Sequence, residues 1–171
     1  MEFFDVVSGR RSVRAFTGEP IADAQLRKIL EAANAAPSAG NLQAYEIYLV
    51  TGARQRQDLA RAARDQLFVA SAPAALVFCT HAALAHGRYG ERARRLYALQ
   101  DATIACTFAM LAAAALGLAT VWVGAFDDHE VHRVIGAPPG IVPVAILPIG
   151  HAAETPEAPG RRGLDELVHR L

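Results

Sequence analysis

Residues 102–126 run for 25 positions without a charged side chain. An element built from such a run cannot face water along its length, so the rest of the chain must fold around it. A membrane-spanning helix is one solution, but it needs about 20 strongly apolar residues in a row. Here alanine dominates, Thr103, Thr107 and Thr120 interrupt the stretch, and Gly117 breaks it. A buried helix over about 101–116 and a buried strand at 120–123 account for the same residues without a membrane.

The remaining segments supply the wrapping. Phe3, Phe4, Val6 and Val7 predict a short helix closing near Gly9. Residues 10–16 read as extended and 17–20 as a turn. Between residues 22 and 35, Leu26, Ile29, Leu30 and Ala33 recur at helical spacing, with Pro37 just beyond. Residues 37–41 carry loop chemistry. Strands are expected at 45–51, 74–79 and 142–149, a charged exposed helix at 54–64 and a short helix at 128–135. Residues 81–97, dense in arginine, have no clean period and read as a helical or irregular surface excursion; 151–162 runs extended over a surface. Helices alternating with about four strands imply an α+β or α/β sandwich around a mixed sheet, in one domain over 1–171.

Seventeen basic residues balance seventeen acidic ones, which argues against a nucleic-acid partner. Lys28 is the one lysine and lies in an amphipathic helix, so Schiff-base chemistry is set aside. Cys79 and Cys106 sit in apolar runs, as buried thiols do, and fit a reducing cytoplasm. The N-terminus lacks the basic and apolar regions of a signal peptide. There is no G-x-S-x-G, no phosphate-binding G-x-x-x-x-G-K-[ST] and no G-x-G-x-x-G, and Ser38 has no adjacent histidine. His129 and His132 with Asp127, Asp128 and Glu130 lack metal-site spacing; acidic residues opening a helix are ordinary dipole partners. Either a cofactor carries the chemistry or there is none.

The most informative run is Arg10-Arg11-Ser12-Val13-Arg14-Ala15-Phe16. Alternate side chains of an extended segment share a face, so Arg10, Ser12 and Arg14 point one way and Arg11 and Val13 the other. Two guanidiniums flanking a hydroxyl make either a site for an anion of phosphate size or a solvated basic patch.

Other parts arrive in order: Ala36-Pro37-Ser38-Ala39-Gly40-Asn41-Leu42-Gln43, the run from Leu116 through Gly117, Trp122, Val123, Gly124 and Ala125 to Phe126, and Arg161-Arg162-Gly163-Leu164-Asp165-Glu166-Leu167-Val168-His169. With the arginine run, these four segments resemble the nitroreductase family of FMN-dependent oxidoreductases along nearly the whole chain. The resemblance implies an α+β three-layer sandwich, its central mixed or antiparallel sheet flanked by helices, in an obligate homodimer with FMN in a groove between subunits. It implies that Arg10, Ser12 and Arg14 contact phosphate, ribityl chain and ring, with Arg14 at the ring edge, Arg10 at the phosphate and Arg11 beside them. Arg161 matches the C-terminal phosphate arginine and Arg162 competes with it. Pro37, Ser38 and Ala39 reach the flavin of the other subunit, Asn41 and Gln43 shape that loop, and the backbone of Val123, Gly124 and Ala125 approaches the ring.

The implied activity is ping-pong hydride transfer from NADH or NADPH, through the flavin, to a nitroaromatic, quinone or related small acceptor. The alternative is a flavin-binding, regulatory or flavin-modifying protein on the same scaffold. Departures from the family pattern are Gly124, where some members carry glutamate, and Gly150-His151-Ala152 in place of G-Y-P. The chain is also short, with the loss around residues 81–97, which cover the family's substrate pocket. Tyr89 and Tyr97 either wall that pocket or pack within the excursion, and Trp122 is expected in the core.

Overall fold

The computed structural model describes residues 2–171. Its strands are β1 (Tyr45–Val50), β2 (Ala74–Thr80), β3 (Ala119–Thr120) and β4 (Val142–Gly150). They form one sheet in the order β1-β2-β4-β3, every neighbouring pair antiparallel. Its helices are α1 (Phe3–Gly9), α2 (Asp23–Asn34), α3 (Ala53–Ala62), α4 (Phe68–Ser71), α5 (Ala83–Tyr89), α6 (Ala98–Ala115), α7 (Asp128–Ile135) and α8 (Leu164–Leu167).

β2 and β4 are apolar on both faces, which dictates the layering. Successive side chains alternate across a sheet. Leu76, Phe78, Leu147 and Ile149 therefore join one core with α2 and α6, while Val77, Cys79 and Ile146 join another with Leu59 of α3, Val69 of α4 and Val131 of α7. A sheet with two apolar faces must be covered on both, and the result is the expected three-layer sandwich. Burying a side chain such as Ile29 of α2, fully enclosed in the core that α2 and α6 share, contributes about 1.5–3 kcal/mol.

The uncharged run becomes α6 and β3. Ala102, Ala105, Ala109 and Ala113 are buried; their small side chains let α6 lie close to α2 and the sheet. Gly117 ends the helix at φ +75°, and the Leu118 amide closes back on the Ala113 carbonyl at 2.9 Å. Only glycine takes that conformation freely. By length and composition alone, residues 93–115 are apolar enough to cross a bilayer, but one side of α6 packs into the core. Leu99 and Phe108, on opposite flanks of α6, stay 45% and 37% exposed. Phe3, Phe4 and Val7 of α1 and Leu164, Leu167 and Val168 near the C-terminus are exposed too.

The expected strand at 120–123 is interrupted. Thr120 pairs with Ile149 and Val123 with Ile146 in continuous register, but Pro148 lies between and has no N–H to donate. The extended N-terminal segment adds the sheet's parallel component: Ser12 bridges Thr120, and the Val13 amide donates to the Thr120 carbonyl at 3.1 Å. The 81–97 excursion is helical, α5 followed by a π-helical turn at Ala93–Tyr97 that leads directly into α6. The four-residue helices α4 and α8, which no periodicity announced, complete the chain.

Candidate functional site

The arginine run is held from both sides. Val13 turns inward to pack with Phe16 and Ala72. Phe16 bridges Ala152, and the Ala153 amide donates to the Ala15 carbonyl at 2.8 Å. The C-terminal tail is thereby laid along the run, where Glu154 accepts the Arg14 amide through its carboxylate. Arg10 is half-buried, and burial lowers its pKa, helped by the charges of Arg161 and then Arg11. Arg11 folds back, donating to the carbonyls of Ser8 at 2.7 Å and Arg10 at 3.0 Å. Arg162 instead engages Glu166, its Nε 3.2 Å from Oε2 and its Nη2 donating to the carbonyl at 3.0 Å. Among the described residues, none of the ion pairs includes Arg10, Arg11, Arg14 or Arg161. The cleft beside them, about 300 Å³, is walled by Arg10, Arg11, Gly117, Thr120 and Glu154.

Val123 is fixed by reciprocal backbone bonds to Ile146 at 3.0 and 2.9 Å. Gly124 next to it opens onto a larger cleft, about 880 Å³, lined also by His86, Arg94, Leu99 and Phe126. A methyl group added at Gly124 would stand 3.2 Å from Trp122 Nε1, so the absent side chain and the indole share one space. Trp122 itself is partly buried against the α2–α6 core, as expected of it. The Ala125 carbonyl accepts from Gln66 Nε2 at 3.1 Å, a support the sequence did not suggest.

The 37–43 loop belongs to a different neighbourhood. Pro37, Ser38 and Ala39 line a cleft of about 600 Å³ with Tyr97, Leu99 and Ile104, on the outward side of α6. Ser38 Oγ accepts the Gln43 amide at 3.0 Å, and Gln43 Nε2 donates to the Asn41 carbonyl. Tyr97 and Tyr89 meet edge to face, centroids 5.0 Å apart, so Tyr97 both packs within the excursion and faces the cleft. Within one chain, then, Arg10 and Arg11 line the cleft beside Thr120 with Arg161 acting on Arg10, Gly124 opens onto a second cleft, and 37–39 onto a third that shares Leu99 with the second.

Asp101 was legible only as a helix start, yet it is 2% exposed and accepts the amides of Ala39 at 2.9 Å and Ala44 at 3.3 Å. Its sequence signal is slight: it is the last charge before the uncharged run. The cysteines offer no nucleophile. Both are buried, and burial pushes the Cys79 thiol up to about 12 and raises Cys106 likewise. Asp127 caps α7, accepting the Glu130 amide at 3.0 Å, and Glu130 pairs with Arg133 at 2.7 Å, the dipole arrangement expected there.

The sequence pattern of the nitroreductase family matches residues 7–151. The chain belongs to the nitroreductase family. Among its relatives, an NADPH-flavin oxidoreductase of Vibrio harveyi is 31% identical, the match covering 96% of this chain and 72% of the relative. An NADH dehydrogenase of Thermus thermophilus is 32% identical over 93% of this chain and 91% of its own length. Among solved structures, the NADPH:FMN oxidoreductase from Vibrio harveyi complexed with NAD+ superposes with a TM-score of 0.90 at 29% identity, covering 98% of this chain and 76% of that one. The sandwich of this nitroreductase-family member is therefore the family fold.

Proposed function

We propose that the chain is an FMN-dependent NAD(P)H oxidoreductase, working as a homodimer that passes hydride from the nicotinamide donor to a nitroaromatic, quinone or related small acceptor. One observation carries the reading. Arg10 and Arg11 wall one cleft without a carboxylate ion pair, and burial lowers the Arg10 pKa with the charges of Arg161, from the far end of the chain, and Arg11 adding to it. Like charges so placed destabilise one another, and a phosphate among them, held bidentately by planar guanidiniums, relieves the repulsion. These residues fit FMN, and the names of the Vibrio relatives, which pair a nicotinamide with a flavin, support it.

On this reading Arg10 and Arg161 hold the phosphate with Arg11 behind them, and Ser12 meets the ribityl chain. Arg14 places a positive charge at the ring edge, where charge accumulates during reduction. The Val123–Ala125 backbone lies along the ring, with the Trp122 indole against the side where Gly124 lacks a side chain. When bound, FMN supplies the hydride-accepting and hydride-donating atom, so the chain needs no nucleophile or acid of its own. Arg162, committed to Glu166, is the lesser candidate for the phosphate.

The second copy completes the site. Leu99 and Phe108 on α6 and Phe3 and Phe4 on α1 are exposed, and exposed large apolar side chains suit protein–protein contact. The 37–43 loop opens beside Leu99, so association brings Pro37, Ser38 and Ala39 of one copy, with Asn41 and Gln43 shaping their loop, to the FMN of the other. The two free, buried cysteines suit a cytoplasmic setting.

Anaerobic mixing of the FMN-loaded protein with NADH and with NADPH tests the proposal. Bleaching of the flavin band at a catalytic rate with either donor is expected. Tight FMN binding without reduction by either donor would favour a flavin-binding protein without turnover, and refusal of FMN would overturn both.

A further inference from the structure

We infer that Asp101 is a positioning residue for the flavin-facing loop, its buried carboxylate acting as the clamp that holds the 38–44 segment with Gly40, Asn41 and Gln43 in left-handed conformations. The link to FMN rests on the function proposed above; the clamp itself stands on geometry alone.

Burying a carboxylate is costly unless hydrogen bonds replace its water. Asp101 is 2% exposed and takes part in none of the ion pairs among the described residues. Its compensation comes from the loop: Oδ1 accepts the Ala39 amide at 2.9 Å and Oδ2 the Ala44 amide at 3.3 Å. One side chain thus ties together both ends of the segment.

What the carboxylate restrains is strained. Between the two tied amides, Gly40, Asn41 and Gln43 have φ of +59°, +59° and +43°. Glycine occupies that region freely and asparagine tolerates it, but glutamine does not. The Gln43 amide donates to Ser38 Oγ at 3.0 Å, so the strained backbone also orients the Ser38 hydroxyl. Gly40 lies against Tyr89 and Arg88 of α5, which closes the other side. A strained segment persists only where its surroundings over-determine it, and Asp101 supplies the restraint that spans both ends of the segment.

The test compares wild type with Asp101→Asn, which keeps the size of the side chain but presents an amide where a carboxylate oxygen accepted. In the apoprotein, hydrogen exchange of the Ala39 and Ala44 amides should accelerate at least tenfold, with β2 amides unchanged. The FMN dissociation constant should rise at least tenfold, and the visible circular dichroism of FMN bound at saturation should change, because the ring is reoriented. Unchanged exchange at Ala39 and Ala44 overturns the clamp. Faster exchange at those amides with unchanged FMN affinity and dichroism, or acceleration extending equally to β2, reduces Asp101 to a structural residue and overturns the positioning role. If the variant does not fold, the wild-type apoprotein decides: Ala39 and Ala44 should exchange as slowly as β2, and exchange at open-loop rates overturns the clamp. Failure of wild type to bind FMN sinks the functional proposal while leaving the exchange result to stand by itself.

Discussion

The charge of Arg161 depresses the pKa of Arg10, although the two residues lie near opposite ends of the chain. Burial is the larger cause of the depression, and Arg11 adds to it. The extended N-terminal segment makes the meeting possible, because it is pinned to β3 on one flank and to the start of the C-terminal tail on the other.

Arg161→Ala should weaken FMN binding far more than Arg162→Ala. A hydrogen bond to a charged group is worth about 1.5–3 kcal/mol, so the first variant should lose roughly ten- to a hundredfold in affinity. The second loses mainly an exposed ion pair with Glu166, a contact of about 0–1 kcal/mol. Fluorescence titration of FMN against both variants measures the contrast, and equal losses would remove the preference for Arg161.

Phe108→Glu should produce a monomer that no longer retains FMN. Phe108 is 37% exposed on α6, and a carboxylate there gains no partner within its own chain. Sedimentation of the variant with and without FMN checks the outcome; a stable, yellow dimer would place the interface elsewhere.

Alkaline pH should unfold the protein, with Cys79 contributing. Its thiol is raised from 9.0 to about 12, so above 9 the unfolded chain releases a proton that the folded chain keeps. The associated stability is complete below 9 and is lost as pH rises toward 12, by at most about 1.4 kcal/mol per unit. Cys106, Tyr45 and Tyr48 are raised as well and act in the same direction. Urea unfolding at stepped pH should show the decline, less steep in Cys79→Ala; equal slopes would contradict the assignment.

Gly40→Ala should destabilise the fold by about 1–2 kcal/mol through its left-handed backbone. The new methyl would stand 2.6 Å from Tyr89 Oη and 2.9 Å from an Arg88 guanidinium nitrogen. Those are side-chain ends that can shift, so the conformational cost dominates. Thermal melting of the apoprotein reads it directly, and an unchanged midpoint would mean that the loop does not hold φ +59° in solution.

Much of the architecture could be read from particular residues. The doubly apolar β2 and β4 demanded cover on two faces, and the uncharged run, broken at Gly117, could become only a buried helix and strand. The 81–97 segment hid its helices because the π-helical turn at Ala93–Tyr97 inserts a residue and shifts the apolar stripe. The proposed cofactor site was legible mainly through family resemblance: nothing local ties Arg10 to Arg161. Asp101 was legible only as a helix start, because its partners are backbone amides, which leave no side-chain signature in a sequence.

The way the 10–16 segment is fastened bears on how the protein is made. Its amides and carbonyls find partners at Thr120 and Ala153, and the neighbouring Thr17 amide at His151, the last two synthesised long after the segment itself. Until then a nascent chain carries an unsealed sheet edge, an invitation to aberrant pairing. Its first cationic residues also stand without their distant counterpart. On the proposed reading, cofactor loading waits for those later residues, and truncation before residue 151 should leave a species that chaperones must hold rather than a smaller working protein.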